Sequence, residues 1–225
     1  MIELRSILRL ARKERFTRSA LKALIPSRHH ETVREWLRPR PGIQWCRVVM
    51  NREIERFIRS LDCSHIDALE ISGSGSQHKY NFRSYQTTAY PEYDVCQAPL
   101  ALQQFDIIIA EQVFEHVLRP DRAAANVYQM LRPGGFFVIS TPFLLKVHET
   151  PLDLYRWTEH GIRQLLVTAG FSVLATYSWG NRECLFADMK PGLEWTSYNP
   201  LKHGLHNEPQ FAIVVWAFAE RRKSE

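Results

Sequence analysis

The chain places ionisable and amide side chains directly after a short apolar run at residues 105–110. Glu111, Gln112 and His116 supply a carboxylate, an amide and an imidazole there, which suit the binding of a polar ligand. A second apolar run, at residues 136–140, follows after a helix-length segment. Continuous runs of this length are typical of strands buried on both faces of a parallel sheet. Because ligands bind beyond the carboxyl ends of such strands, we predict a binding site after the first run.

Residues 148–158 form a second region that is rich in groups able to transfer protons or hold polar ligands. His148 could remove a proton from an acceptor hydroxyl, because the pKa of an imidazole lies near operating pH. Asp153 could orient this imidazole or hold the substrate, while Tyr155 and Arg156 are candidates for substrate binding. The alternative is structural, since Asp153 and Arg156 stand three residues apart and could simply pair across a turn.

The elements that must position these side chains alternate between strands and helices. Strands are predicted at residues 66–71, 85–90, 107–110, 136–140, 171–177 and 211–220, and residues 93–96 are expected to lead into a further strand, the third in chain order. Helices are predicted at residues 51–61, 121–131 and 158–169, with Asn51 and Thr158 as candidate caps. Glu115 and His116 are expected to begin a helix, where Glu115 would complement the helix dipole. The connection at residues 178–209 is unusually long, so we predict a substrate-side insertion in which Trp179 contacts the substrate.

The sequences FDIIIAEQVFEHV at residues 105–117 and LRPGGFFVISTPF at residues 131–143 together resemble a known family. They are similar to the fourth-strand and fifth-strand segments of class I S-adenosylmethionine-dependent methyltransferases, in particular the type 11 catalytic domains that act on small molecules. The resemblance covers roughly residues 67–171 and a last strand. It implies an α/β, Rossmann-like, seven-stranded and mostly parallel sheet with helices on both faces, and S-adenosyl-L-methionine as the cofactor.

The resemblance assigns part of the cofactor site to the turn after the first strand. Glu70 would organise this turn, whose small residues let a ligand approach the backbone closely. The cofactor-binding candidates in the turn are Ser72, Gly73, Ser74 and Gly75. Counted from Glu70, the glycine positions of the family hold serines here, and the two glycines fall one place off.

The resemblance also implies cofactor contacts after the second and fourth strands. The family grips the ribose hydroxyls with an acid after the second strand, and here Glu92 is the nearest carboxylate, with Tyr90 available for packing. Asp94 matches the acid that contacts adenine, and Val95 would add apolar surface. The candidates beside the methionine part of the cofactor are Glu111, Gln112 and His116.

Charge is distributed unevenly along the chain. Residues 1–65 contain 15 Lys and Arg against 7 Asp and Glu, whereas residues 66–225 contain 14 against 17. We predict a basic helical extension at residues 1–50, followed by the catalytic domain at residues 51–225. The extension could contact nucleic acid, an acidic lipid surface or a phosphorylated substrate, or it could be an ordinary solvated helical face.

The four cysteines show neither a Cys-x-x-Cys pair nor zinc spacing, so we expect reduced thiols and no metal site. Basic residues interrupt the apolar stretches of the N-terminus, which argues against a signal peptide. The apolar run at residues 211–219 is too short to span a bilayer. These features favour a cytoplasmic protein that could also touch a membrane surface.

Methyl transfer to an oxygen of a small molecule, such as a sugar or a secondary metabolite, is the activity that we expect. The reaction is an in-line displacement, so the protein mainly has to align the reactants. An RNA methyltransferase is one alternative, with the basic segment as the nucleic-acid contact, although no RNA-binding module is recognisable. A non-catalytic binding module is another, because the turn is rich in serine and the ribose acid is missing from its usual place.

Overall fold

The computed structural model describes residues 42–73, 75–76, 79–148, 152–190 and 195–223. Most of the predicted basic extension and the cofactor candidate Ser74 therefore lie outside the described residues. A compact unit spans Ile43–Glu225 and contains every helix and strand described below. The domain boundary predicted at residue 50 falls inside the first helix of this unit. Within the described residues, no helix has the length and apolarity that a membrane span requires.

Six strands form a single sheet in the described part of the chain. They are β1 (Asp67–Ile71), β2 (Ser84–Thr88), β3 (Phe105–Glu111), β4 (Leu131–Pro142), β5 (Ser172–Trp179) and β6 (Val214–Glu220). Their order is β2-β1-β3-β4-β6-β5. Strands β1 to β4 are paired in parallel, whereas β6 runs antiparallel to both β4 and β5. The α/β, Rossmann-like and mostly parallel architecture is confirmed, but with six strands rather than seven.

The strand into which residues 93–96 are expected to lead does not form, since none of the described residues between β2 and β3 belongs to a strand. The Asp94 carboxylate accepts a hydrogen bond of 2.9 Å from the backbone N–H of Cys96, which closes a local turn. Such side-chain bonds compete with the extended backbone of a strand. In addition, the Asn126 side chain on a neighbouring helix donates a hydrogen bond of 2.7 Å to the Val95 carbonyl. This carbonyl is therefore not available for pairing with another strand. Strand β2 is consequently the edge of the sheet.

Four helices cover the two faces of the sheet. They are α1 (Val48–Arg59), α2 (Pro120–Met130), α3 (Glu159–Thr168) and α4 (Arg182–Asp188). Thr158 caps α3 as predicted, since its side chain accepts a hydrogen bond from the Gly161 N–H. The cap predicted at Asn51 is wrong, because α1 begins at Val48 and has no side-chain cap. A short 3₁₀ turn at Trp45–Arg47 leads into α1 and buries Trp45 and Cys46.

The core consists of two apolar clusters, one on each face of the sheet. Helices α2 and α3 pack on one face and α1 and α4 on the other. Strand β3 contributes to both, because successive side chains of a strand point to opposite faces. Ile108 and Ala110 contact the first cluster, while Ile107 and Ile109 contact the second. This double burial explains the continuous apolar run in the sequence of β3.

Asp67 links the amino ends of several strands, opposite to the edge where ligands bind. Its carboxylate accepts hydrogen bonds from Arg83 at 2.5 and 2.9 Å and from Arg132 at 3.0 Å. The Asp67 N–H in turn donates to the Asp106 carboxylate at 2.8 Å. The Arg83 guanidinium, helped by the Ser84 hydroxyl, holds the pKa of Asp67 well below its usual range.

Replacing Asp67 with asparagine should destabilise the fold by on the order of 1–2 kcal/mol at pH 7, because charge-assisted bonds are lost. The stabilisation is present above the unfolded-state pKa of about 3.9 and disappears as the pH falls through the lower folded-state pKa. The difference between wild type and Asp67→Asn in urea denaturation should therefore shrink below about pH 4. Glu53→Gln, which removes an exposed pair with Arg56, is the matched control and should change stability little. An equal loss in both variants would show that Asp67 has no special role.

Candidate active site

A main cavity of about 600 Å³ opens at the carboxyl edge of the parallel strands. This volume lies within the range of about 300–1,000 Å³ that is usual for small-molecule sites. Segments following β1, β2, β3 and β4 line it together with residues that precede α1. Of the residues predicted from the sequence, the cavity is lined by Ser72, Tyr90, Asp94, Val95, Gln112, His116 and His148. The structure thus brings both candidate regions of the sequence to one cavity.

Glu70 determines the shape of the turn after β1. Its buried carboxylate accepts hydrogen bonds from the N–H groups of Gly75 at 3.2 Å and Ser76 at 2.9 Å, and from the Tyr85 hydroxyl at 2.5 Å. A Cβ atom on Gly73 would lie 2.2 Å from Oε1 of Glu70, so the carboxylate occupies the space that a side chain would need. Glu70, Gly73 and Gly75 therefore shape the turn without lining the main cavity.

Ser72 adopts a left-handed backbone conformation with φ of 58°. Its N–H donates a hydrogen bond of 2.6 Å to the Thr88 carbonyl, which fixes the turn against the end of β2. Left-handed geometry costs a residue with a side chain about 1–2 kcal/mol relative to its usual conformation. Ser72 is one of the positions where the sequence resemblance places a glycine, and the backbone shows why a glycine would suit it.

The segment after β2 supplies the wall beside Ser72. Tyr90 is largely exposed, Val95 is buried, and Asp94 lies between them on the cavity wall. Glu92 is exposed and does not line the cavity, so the structure gives no support to its predicted role at the ribose. The turn that places Asp94 on the wall is the same turn that prevented a strand here.

At the end of β3, Glu111 and Gln112 point in different directions. Gln112 lines the cavity, and its side-chain amide donates to the Ser140 hydroxyl at 3.3 Å. Glu111 is not on the cavity wall; its carboxylate lies 3.8 Å from the Arg47 guanidinium. Burial raises the pKa of Glu111 above its ordinary value. The predicted contact of Glu111 with the cofactor needs correction, because Glu111 is the last residue of β3 and it is Gln112, in a left-handed conformation with φ of 56°, that reaches the cavity wall.

Glu115, His116 and His148, here called the Glu-His-His cluster, form a polar patch on the cavity wall. Oε1 of Glu115 lies 3.6 Å from Nε2 of His116 and 4.0 Å from Nε2 of His148. The Glu115 side chain is fully buried, and burial raises its pKa to about 7. Glu115 stands in a turn, since α2 begins only at Pro120, so the predicted helix-dipole role is wrong.

Asp153 lies behind His148 on the side away from the cavity. Its Oδ2 atom is 3.3 Å from Nδ1 of His148 and also accepts the His148 N–H at 2.9 Å. Arg156 binds the same carboxylate through both terminal nitrogens. The Arg156 guanidinium is the main reason why the pKa of Asp153 falls to about 2, whereas burial lowers the pKa of His148. The structure thus places the His148 imidazole against a carboxylate that the Arg156 guanidinium stabilises in its ionised form.

The residues predicted to bind substrate do not line the main cavity. Tyr155 and Arg156 border a minor cavity of about 370 Å³, and the pairing of Arg156 with Asp153 is the structural alternative that the sequence had left open. Trp179 is buried in the core under α1 and α4, where its Nε1 donates to the Leu205 carbonyl at 3.2 Å. The prediction for Trp179 is corrected accordingly, because the end of β5 packs inward.

Sequence reasoning missed several residues of the main cavity wall. Trp195 lines the cavity, with its ring edge-to-face to His148 at a centroid distance of 6.0 Å. Its position in the long connection of residues 178–209 was the one available signal. Arg47 and Leu145 also line the cavity, but only tertiary packing brings them there.

Comparisons with known proteins agree with this geometry. Residues 55–139 match a family model described as a methyltransferase domain. A protein of Mycolicibacterium smegmatis, described as an S-adenosylmethionine-dependent methyltransferase, is 32% identical over 95 residues. Residues 55–139 are therefore similar to a methyltransferase domain, in agreement with the resemblance to class I S-adenosylmethionine-dependent methyltransferases. The alignment with the relative spans 37% of this chain and 37% of the relative.

Solved structures share the fold of the methyltransferase domain. A protein of Listeria monocytogenes described as an S-adenosylmethionine-dependent methyltransferase has a TM-score of 0.50 at 9% identity, covering 77% of this chain and all of that one. A protein of Bacillus halodurans C-125 described as a methyltransferase has a TM-score of 0.50 at 11% identity, with the same coverage. The cyclase SpnF has a TM-score of 0.52 at 13% identity, covering 76% of this chain and 81% of SpnF. Since a cyclase shares the fold, the reaction has to be argued from the site.

Placing alanine at Gly73 should disrupt the turn of the methyltransferase domain, because the new Cβ would displace the Glu70 carboxylate from its donors. We expect Gly73→Ala to lose about 1–3 kcal/mol of unfolding free energy in urea denaturation. Gly75→Ala is the matched control: its Cβ would meet Oε1 of Glu70 at an ordinary 3.9 Å. The control should stay within about 0.5 kcal/mol of wild type. Comparable effects of the two substitutions would contradict the role given to Glu70.

Proposed function

We propose that the domain binds S-adenosylmethionine in the main cavity and transfers its methyl group to an oxygen of a small molecule, such as a sugar or a secondary metabolite. The supporting observation is that one cavity combines the wall formed by Ser72, Asp94 and Gln112 with the Glu-His-His cluster. The first wall suits a nucleoside, and the second suits a hydroxyl that must lose a proton.

The residues that line the cavity fit the cofactor of the family. The left-handed turn at Ser72 keeps the backbone close to the cavity wall, where amide groups can contact a ligand. Asp94 offers a carboxylate to an amino or hydroxyl group, and Val95 offers apolar surface to a flat ring. When bound, the cofactor would supply an electrophilic methyl group on a sulfonium.

The Glu-His-His cluster would receive the acceptor. Nε2 of His148 faces the cluster, while Nδ1 lies against the Asp153 carboxylate. A carboxylate behind an imidazole fixes its orientation and leaves the other nitrogen free to accept a proton. His148 would therefore hold the proton of the acceptor hydroxyl at Nε2, and Asp153 would act as the positioning residue behind it.

Apolar side chains complete the acceptor region and favour a small molecule. Leu145, Leu152 and Trp195 line the cavity beside the cluster and would exclude water from the reacting atoms. A cavity of this size leaves room for a compact group next to a nucleoside. RNA methylation is the second candidate, and the feature that favours it is the basic composition of residues 1–65.

Cofactor binding can be measured by calorimetry with S-adenosylhomocysteine, which lacks only the transferable methyl group. Asp94→Ala should weaken this binding by about 10-fold to 150-fold, because a charged hydrogen bond contributes about 1.5–3 kcal/mol. Glu92→Ala removes an exposed carboxylate outside the cavity wall and should leave the affinity unchanged. Absence of binding to wild type at millimolar ligand would favour the non-catalytic module instead.

Turnover can be measured only when the methyl acceptor is known. Labelled cofactor can identify this acceptor. The protein is incubated with labelled S-adenosylmethionine and a cell extract that has been separated into a low-molecular-weight fraction and an RNA fraction. We expect label in the first fraction; label confined to RNA would establish the alternative. With the active fraction, His148→Ala should reduce turnover by about 10²–10⁴-fold while leaving S-adenosylhomocysteine affinity intact. His160→Ala, an exposed histidine on α3, serves as the control.

A further inference from the structure

We propose that the Glu-His-His cluster binds a divalent transition-metal cation such as Zn²⁺ in the wall of the main cavity. Glu115, His116 and His148 each offer one ligand atom, and these atoms all lie within 4.8 Å of one another. Two imidazoles and a carboxylate are a donor set that suits such cations. The sequence predicted no metal because the three residues stand in turns that follow two different strands.

The distances within the cluster are close to those of a metal site. Oε1 of Glu115 is 3.6 Å from Nε2 of His116 and 4.0 Å from Nε2 of His148. Ligands at about 2.0–2.2 Å in tetrahedral geometry are separated from one another by about 3.3–3.5 Å. Side-chain movements that shorten the distances between the three donor atoms by on the order of 1 Å would therefore place all three around one cation.

The Glu115 carboxylate supplies a second and independent argument. Its side chain is 0% exposed, and among the described residues neither carboxylate oxygen has a hydrogen-bond partner. A buried carboxylate without donors is costly, and native proteins nearly always satisfy such groups. The two histidine nitrogens that face it are the only groups of the cluster that could do so, and a shared cation would satisfy all three at once.

The outer nitrogen of His116 is held in the way that those of metal-binding histidines usually are. Nδ1 of His116 is hydrogen-bonded to the Leu152 carbonyl, which can only accept, so Nδ1 carries a proton and Nε2 is the nitrogen that can face a cation. Nδ1 of His148 lies 3.3 Å from Asp153, whose carboxylate is fixed by Arg156. The carbonyl behind His116 orients its imidazole toward a cation, whereas the Asp153 carboxylate lies near Nδ1 of His148 without a hydrogen bond to it.

Three protein ligands would leave a coordination position for a ligand from the cavity. A cation with an open position polarises the oxygen that occupies it. This role toward the acceptor oxygen rests on the proposed function, whereas binding of the cation does not. With the cation bound, Nε2 of His148 is a ligand and cannot hold the acceptor proton. Loss of turnover in His148→Ala fits either role, so the metal has to be measured directly.

The test is a titration of the full chain, freed of metal by chelation, with Zn²⁺ in competition with a chromophoric chelator. We expect one tight site per chain. Glu115→Gln, His116→Ala and His148→Ala should each weaken it by at least the roughly 10-fold to 100-fold that loss of an outer partner typically causes. His160→Ala should leave the titration unchanged, because this histidine is exposed and remote in sequence from the cluster. Glu115→Gln keeps the shape of the side chain and removes its buried charge, so this variant should fold.

Two further measurements test whether the cation binds at the cluster in the folded protein or at the cysteines. Zn²⁺ should raise the melting temperature of wild type but not of Glu115→Gln, since only a site in the folded state is stabilised by its ligand. Co²⁺ should give an absorption spectrum without a thiolate charge-transfer band, which excludes the free cysteines as ligands. Absence of stoichiometric binding, or equal binding by all three cluster variants, would overturn the proposal. Calorimetry with S-adenosylhomocysteine in excess chelator reports on the proposed function separately.

Discussion

A carboxylate that is removed from water needs donors, and of two buried glutamates at the carboxyl edge of the sheet only one obtains them among the described residues. Glu70 obtains two backbone N–H groups and a tyrosine hydroxyl, and in doing so it folds the turn after β1 into one conformation. Glu115 obtains none among the described residues and faces only two histidine nitrogens. The satisfied carboxylate builds the turn beside the cavity, whereas the unsatisfied one faces the two histidines of the proposed cation site.

The position of the Glu-His-His cluster depends on a backbone connection between two segments. The Glu115 carbonyl accepts hydrogen bonds from the N–H groups of Leu154 at 2.8 Å and Tyr155 at 3.2 Å. These bonds tie the segment after β4 to the turn after β3, and the contact of His116 with the Leu152 carbonyl adds to them. His148 reaches Glu115 because of this connection. The geometry of the cluster is therefore set by the backbone, which is the kind of support that a precise polar site needs.

The sequence was sufficient to predict the centre of the sheet but not its edge or the identity of the inward-facing side chains. Strand β3 is buried on both faces, so its continuous apolar run could only be a core strand. Residues 93–96 carry no such constraint, and the turn closed by Asp94 together with the bond from Asn126 decided their conformation. Trp179 and Trp195 both fall in the connection predicted at residues 178–209, but Trp179 ends β5 and only Trp195 lines the main cavity. Nothing local distinguishes these two residues, because the difference arises from packing between distant segments.

With the proposed cation and cofactor bound, the charges of the site would favour oxygen over nitrogen as the methylated atom. A divalent cation on one carboxylate and two neutral imidazoles carries a net positive charge, and the sulfonium of the cofactor is positive as well. Two positive centres on either side of the acceptor stabilise an atom that bears negative charge and oppose one that becomes positive. An acceptor hydroxyl develops negative charge as it loses its proton, whereas an amine becomes more positive as it is methylated. With the cation bound, the two imidazoles and the buried Glu115 would suit an anionic oxygen, and this chemistry would link the cluster to the wall proposed for the cofactor.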